Sequence, residues 1–94
     1  MDYDAKVLHA FIVDGRLVSI PAQAKKREVV LRYLLDACFP DDREYPEKEV
    51  NQSLALYHRD VAALRRYLID AGLMTRSAGI YRRVAPRSST PPVA

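Results

Sequence analysis

With 94 residues, 49% of them apolar, the chain has material for one modest hydrophobic core and not for two. A net charge of +3 is too small to name a partner, the single cysteine (Cys38) excludes an internal disulfide, and no apolar run approaches the ~20 residues of a membrane helix. The acidic start at Asp2 and Asp4 lacks the layout of a signal peptide, so a cytoplasmic protein without membrane association is expected.

Val7, Leu8 and Phe11 recur at helical spacing with Ala10 on the same side, which predicts a short amphipathic helix over residues 3–11. Two β-prone runs, Phe11-Ile12-Val13 and Leu17-Val18-Ser19-Ile20, then flank Asp14-Gly15-Arg16. Asp-Gly is a preferred pair for a tight hairpin turn, because both residues tolerate positive φ. Pro21 has no N–H to give a ladder and ends the second strand. From Lys25 the period becomes helical. Val30, Leu31, Leu34, Leu35 and Cys38 form the apolar stripe of a central helix, closed by Phe39-Pro40 and followed by a polar turn, Asp41-Asp42-Arg43.

Tyr45-Pro46 is expected to open the next helix. Pro46 would lie near its first turn, Glu47 and Glu49 would lie near the positive end of its dipole, and Val50, Leu54 and Tyr57 would be buried. Asn51, beside that stripe, is expected to make a structural hydrogen bond to a neighbouring loop. Asp60 suits the N-cap of a third core helix that buries Val61, Leu64, Tyr67, Leu68 and Ala71 before Gly72 supplies a left-handed stop. Leu73 to Arg76 and Ile80 to Val84 read as strands joined by Ser77-Ala78-Gly79, and residues 85–94 as a disordered tail with almost nothing to bury. The order predicts a mainly α, α+β winged helix-turn-helix. In it, residues 1–84 form one domain: an N-terminal helix and hairpin (3–21) precede a core (25–84) of three helices and a hairpin wing.

Charge is unevenly distributed along the chain. Residues 1–58 hold eight Lys/Arg against ten Asp/Glu, whereas residues 59–94 hold seven arginines against Asp60 and Asp70. Arginine's planar fork suits phosphates and guanine edges. A helix beside a basic hairpin fits a major groove and its flanking phosphates, so DNA is the leading expected partner. The candidate contacts are Arg59, Ala62, Ala63, Arg65 and Arg66 around the third helix, and Arg76, Arg82 and Arg83 in the wing. Arg82 and Arg83 should face opposite ways, so that one of them contributes, and Arg66 has an alternative ion pair with Glu47 or Glu49. A homodimer would double the few base pairs that one small winged domain reads.

The alternatives are docking on a protein such as RNA polymerase or a regulator, and RNA binding. One continuous strip of Arg65, Arg66, Arg76 and Arg82 or Arg83 favours nucleic acid. Dispersal, or neutralisation by the acidic second helix, favours protein docking.

Several segments together resemble the bacterial DUF2087 family, whose domains occur alone or fused to helix-turn-helix transcriptional regulators. They are Asp14-Gly15-Arg16-Leu17 with Ile20-Pro21, Lys26-Arg27 with Val30-Leu31-Arg32-Tyr33-Leu34, and Tyr45-Pro46-Glu47-Lys48-Glu49-Val50-Asn51. Asp60, Leu64-Arg65-Arg66, Leu68, Gly72-Leu73, Arg76 and Tyr81 complete the match. The resemblance spans Phe11 to Arg83. It implies a winged-helix-like fold and a role in transcription, and it supplies no ligand or binding residue. Arg82 stands where the family pattern often has tryptophan, which adds charge to the wing and removes an aromatic platform. Where such a domain accompanies a separate DNA reader, it need not bind DNA itself.

No catalytic or metal chemistry is expected. His9, Cys38 and His58 share no spacing typical of zinc sites, and the acidic residues from Asp41 to Glu49 lack the pattern and glycine of a calcium loop. Ser53, His58 and Asp60 have no activating context, and the three glycines form no phosphate-binding motif. Neither an enzyme nor a cofactor is expected.

Overall fold

The structure is a computed structural model that describes residues 2–84, so the tail expected at 85–94 lies outside the described residues. Asp2 caps the first helix, α1 (Tyr3–Phe11), by accepting a 2.8 Å hydrogen bond from the Ala5 N–H. Strands β1 (Ile12–Val13) and β2 (Arg16–Leu17) follow as an antiparallel pair. Asp14 and Gly15 between them have φ of 53° and 76°, the double positive φ of a two-residue I′ turn. Both strands are shorter than the β-prone runs suggested. Phe11 completes the helix, and the Val18 N–H opposite it donates to the Phe11 carbonyl at 2.9 Å, one bond beyond the paired strands. Leu17 is buried, and its N–H donates to the Tyr57 carbonyl at 2.9 Å, which fastens this hairpin to the turn between two later helices.

Helix α2 (Ala24–Cys38) is the centre of the core and buries Val30, Leu31, Leu34 and Leu35 along one stripe. No side chain caps its start. Arg27 instead reaches back to donate to the Pro21 and Ala22 carbonyls at 3.2 and 3.0 Å. Burial pushes the Cys38 thiol up to about 11, as suits a small side chain packed against the core.

Tyr45-Pro46 does not open the next helix. Residues Glu44–Pro46 form β3, Pro46 is the N-cap, and α3 spans Glu47–Ala55. Tertiary packing decides this. The Tyr45 ring lies edge-on to Phe39 with centroids 5.1 Å apart, and its hydroxyl bonds to both the N–H and the carbonyl of Asp41 at 2.9 Å. The extended backbone that places the ring there also pairs with a distant strand, and an edge strand tolerates proline. Tyr57 lies beyond the end of α3 and is half-buried.

Asp60 caps α4 (Val61–Asp70) by accepting from the Ala63 N–H at 3.1 Å. The helix ends in a Schellman motif: Leu73 N–H donates to the Leu68 carbonyl, Gly72 N–H donates to the Ile69 carbonyl, and Gly72 has φ 73°. Ala71, expected to be buried, is the C-cap just before this stop and is exposed. Strands β4 (Met74–Ser77) and β5 (Ile80–Arg83) form the wing around a two-residue turn, Ala78-Gly79.

The sheet therefore has three strands, antiparallel in the order β3-β5-β4. One apolar cluster joins Val7 and Leu17 to the buried residues of α2, α3, α4 and the sheet, so the N-terminal segment and the three core helices share a core. The fold is mixed α+β and winged-helix-like. Among the described residues, no helix is long and apolar enough to cross a membrane.

Candidate nucleic-acid interface

Leu64 and Leu68 turn one side of α4 into the core and leave Ala62, Arg66 and Asp70 on the opposite ridge, one helical turn apart. Two grooves run beside this ridge. The first, of about 440 Å³, lies between α4 and the sheet and is lined by Glu47, Ala62, Arg65, Arg66, Ile69, Asp70, Arg76 and Tyr81. The second, of about 520 Å³, is lined by Ala62, Ala63, Arg66, Tyr67 and Asp70. Ala62, Arg66 and Asp70 border both, so they form the most prominent line on this face. Arg59 is exposed in the turn that leads into the helix.

The first groove brings together Ala62, Arg65, Arg66 and Arg76, four of the eight residues expected to contact nucleic acid. Its centre is a carboxylate. Glu47, the first residue of α3, meets the Arg65 Nη1 at 3.1 Å through Oε2, and the Arg76 Nη2 at 3.3 Å through Oε1. The Tyr81 hydroxyl donates to the same Oε1 at 3.3 Å. Burial, more than any charge beside it, pushes the Tyr81 phenol up and keeps it a donor. Arg66 does not reach Glu47 or Glu49; it pairs with Asp70 on its own helix at 3.8 Å, with its side chain 83% exposed. Glu49 is engaged by Arg43 instead, whose hydrogen bond holds the carboxyl below its usual range.

The remaining candidates lie elsewhere. Alternation along β5 puts Tyr81 and Arg83 on the inner face of the sheet and Arg82 on the outer, beside its cross-strand partner Glu44. Arg82 meets Glu44 at 3.7 Å and Asp42 at 3.9 Å, away from the groove. Arg83 is not available to any ligand surface. It is buried, with Nη2 2.8 Å from Asp36 Oδ1 and Nη1 donating to the Phe39 carbonyl at 2.7 Å, so it ties the wing to the end of α2. Ala63 lines only the second groove.

Sequence reasoning missed Glu47, Ile69, Asp70 and Tyr81 as groove residues. Glu47 was visible as a first-turn carboxylate, but its partner depends on the unforeseen strand β3, which sets the start of α3 beside the wing. There the Glu47 N–H donates to the Gly79 carbonyl at 2.9 Å. Among the described residues, two buried polar atoms of adjacent helices have no hydrogen-bond partner, the Asn51 Oδ1 on α3 and the Arg65 Nε on α4. Asn51 was expected to bond a neighbouring loop, and its Oδ1 meets no partner among the described residues.

No curated protein and no solved structure matches the chain. A family model described as an uncharacterised protein conserved in bacteria, DUF2087, matches residues 16–83, which is most of the chain and includes α2, α3, α4 and the wing. The chain belongs to this bacterial family.

Proposed function

We propose that this domain is a non-catalytic DNA-binding module of transcription regulation that lays the α4 ridge along a duplex with the wing beside it. The observation that carries the reading is the groove between α4 and the sheet, where Arg65, Arg66 and Arg76 from two elements line one concave surface next to the small Ala62. The small side chain permits close approach to base edges, and Arg59 in the turn before α4 and Arg66 in its second helical turn are both exposed to flanking phosphates. Few phosphates are engaged by one copy, and pairing of two copies would double them.

A second reading, docking on a protein of the transcription machinery, gains by the criterion set from the sequence: Arg82 and Arg83 lie outside the strip, and each arginine of the groove meets a carboxylate, from Glu47 or Asp70. Titration of a promoter-length duplex separates the two. DNA binding predicts that affinity falls with salt by about 0.9 log unit per log unit for each phosphate contacted, and that Arg59→Ala combined with Arg66→Ala lowers both affinity and slope. Absence of binding at about 50 mM salt, or affinity indifferent to salt, refutes the DNA reading.

A further inference from the structure

Donors from three elements end on one carboxylate in the middle of the groove: Arg65 of α4, Arg76 of β4 and Tyr81 of β5, at 3.1, 3.3 and 3.3 Å from the Glu47 oxygens. We propose that Glu47 is an internal counter-anion that competes with the phosphate backbone for Arg65 and Arg76, so that exchange of this carboxylate limits duplex affinity. This deepens the DNA reading and rests on it.

The arrangement is the one a phosphate would receive, two guanidinium groups and a hydroxyl arriving from different sides at the first turn of a helix. Position favours the internal anion. The Glu47 N–H is bonded to the Gly79 carbonyl in the wing turn, so the backbone that carries the carboxylate is fixed between α3 and the wing. The Glu47 side chain is 36% exposed, so solvent and a phosphate oxygen both reach the cluster. A phosphate entering the groove meets either the Glu47 charge or arginines already engaged by it, and like charges in contact repel.

The other ion pair of the groove differs. Arg66 and Asp70 are exposed neighbours on one helix at 3.8 Å, a type that holds its arginine weakly, so Arg66 is exchangeable without any such step. Glu47 is therefore a positioning residue whose removal frees two cations at once.

The experiment compares the wild-type chain, Glu47→Gln and Glu49→Gln by duplex titration across a salt series. Glu49 is the matched control, because its partner is Arg43 and it lines no part of the groove. Both variants raise net charge by one, and only Glu47→Gln releases groove arginines. Glu49→Gln should tighten binding by less than about threefold, and Glu47→Gln by about tenfold or more at low salt. The salt slope of Glu47→Gln should steepen by roughly 1 to 2, near 0.9 for each phosphate gained. A structural role for Glu47 would leave the slope alone.

A gain no larger than that of Glu49→Gln, or an unchanged slope, overturns the proposal while leaving the DNA reading intact. Failure of all three proteins to bind overturns both. Should Glu47→Gln unfold, Glu47→Asp keeps the charge but withdraws it by one methylene, and a smaller gain in the same direction is expected. No gain from a folded Glu47→Asp overturns the proposal in that case.

Discussion

Replacing Arg83 by alanine should cost the fold about 3 kcal/mol, while the same change at its neighbour Arg82 should cost no more than about 1 kcal/mol. The Arg83 side chain is 3% exposed and makes two short bonds, to the Asp36 carboxylate at 2.8 Å and to the Phe39 carbonyl at 2.7 Å. Breaking a buried ion pair by removing one partner typically costs ~3–5 kcal/mol, and the orphaned carbonyl alone accounts for ~1–3 kcal/mol. Asp36 is 31% exposed and regains water once its partner is gone, which places the total at the low end of that range. The Arg82 side chain is 49% exposed and its carboxylates lie at 3.7 and 3.9 Å, the geometry of a surface pair worth ~0–1 kcal/mol.

A domain of this size has about 4–13 kcal/mol in all, so Arg83→Ala removes a large share and should lower the melting temperature by roughly 10–20 °C. Urea unfolding followed by circular dichroism measures both variants on one scale. An Arg83→Ala within about 1 kcal/mol of wild type, or an Arg82→Ala equally costly, would refute the assignment of Arg83 to the structure and Arg82 to the surface.

Two further predictions concern the wing turn and the cysteine. Ala78 sits at φ 51°, a left-handed conformation that costs an ordinary L-residue roughly 1 kcal/mol and asparagine less. Ala78→Asn should therefore raise the unfolding free energy by about 0.5–1 kcal/mol, read from the same urea midpoint, and a loss of stability would contradict the turn geometry. The Cys38 thiol is raised from 9.0 to about 11 by burial. A raised thiol pKa contributes stability that is complete below the unfolded value and lost as pH climbs from 9.0 towards 11, and Cys38→Ser should flatten that decline. Labelling by a thiol-specific reagent at pH 8 should accordingly be far slower for the native protein than for the unfolded chain, since the thiolate is the reactive form.

Helix α4 was legible because it carries its own punctuation, and α2 because of its apolar stripe. Asp60 accepts from Ala63 as an N-cap should, Gly72 adopts the left-handed stop, and the stripe from Val30 to Leu35 is buried at the helical spacing that revealed it. The Asp14-Gly15 turn was equally local. Strand β3 was not legible, since three residues carry no alternation to detect and the Pro46-Glu47 pair resembles a helix start from either side. Its pairing with β5 joins residues some thirty-five positions apart, and no local pattern encodes that separation. The ion pairs were hidden for the same reason. Assigning Arg66 to Glu47 instead of Arg65 is an error of one residue on α4, about 100° around the helix, which separates a groove wall from an exposed ridge.

The arginine-rich last third of the sequence is consequently no isolated cationic pole in space. Acidic residues of the preceding segment return to it through the fold: Asp36 to Arg83, Asp42 and Glu44 to Arg82, and Glu47 to Arg65 and Arg76. Pairs of this kind neutralise the far field that steers a duplex from a distance, yet most are exposed enough to exchange on contact. If the domain binds DNA as proposed, its affinity should come from the groove-side cations least tied to carboxylates, Arg59 and Arg66, and two such contacts would give a salt slope of only about −1.8. On that proposal, specific occupancy of a promoter would require more than one copy's contacts, from a second chain or from a neighbouring DNA-binding protein. Release of Arg65 and Arg76 from Glu47 is the step within the domain that would raise its own share.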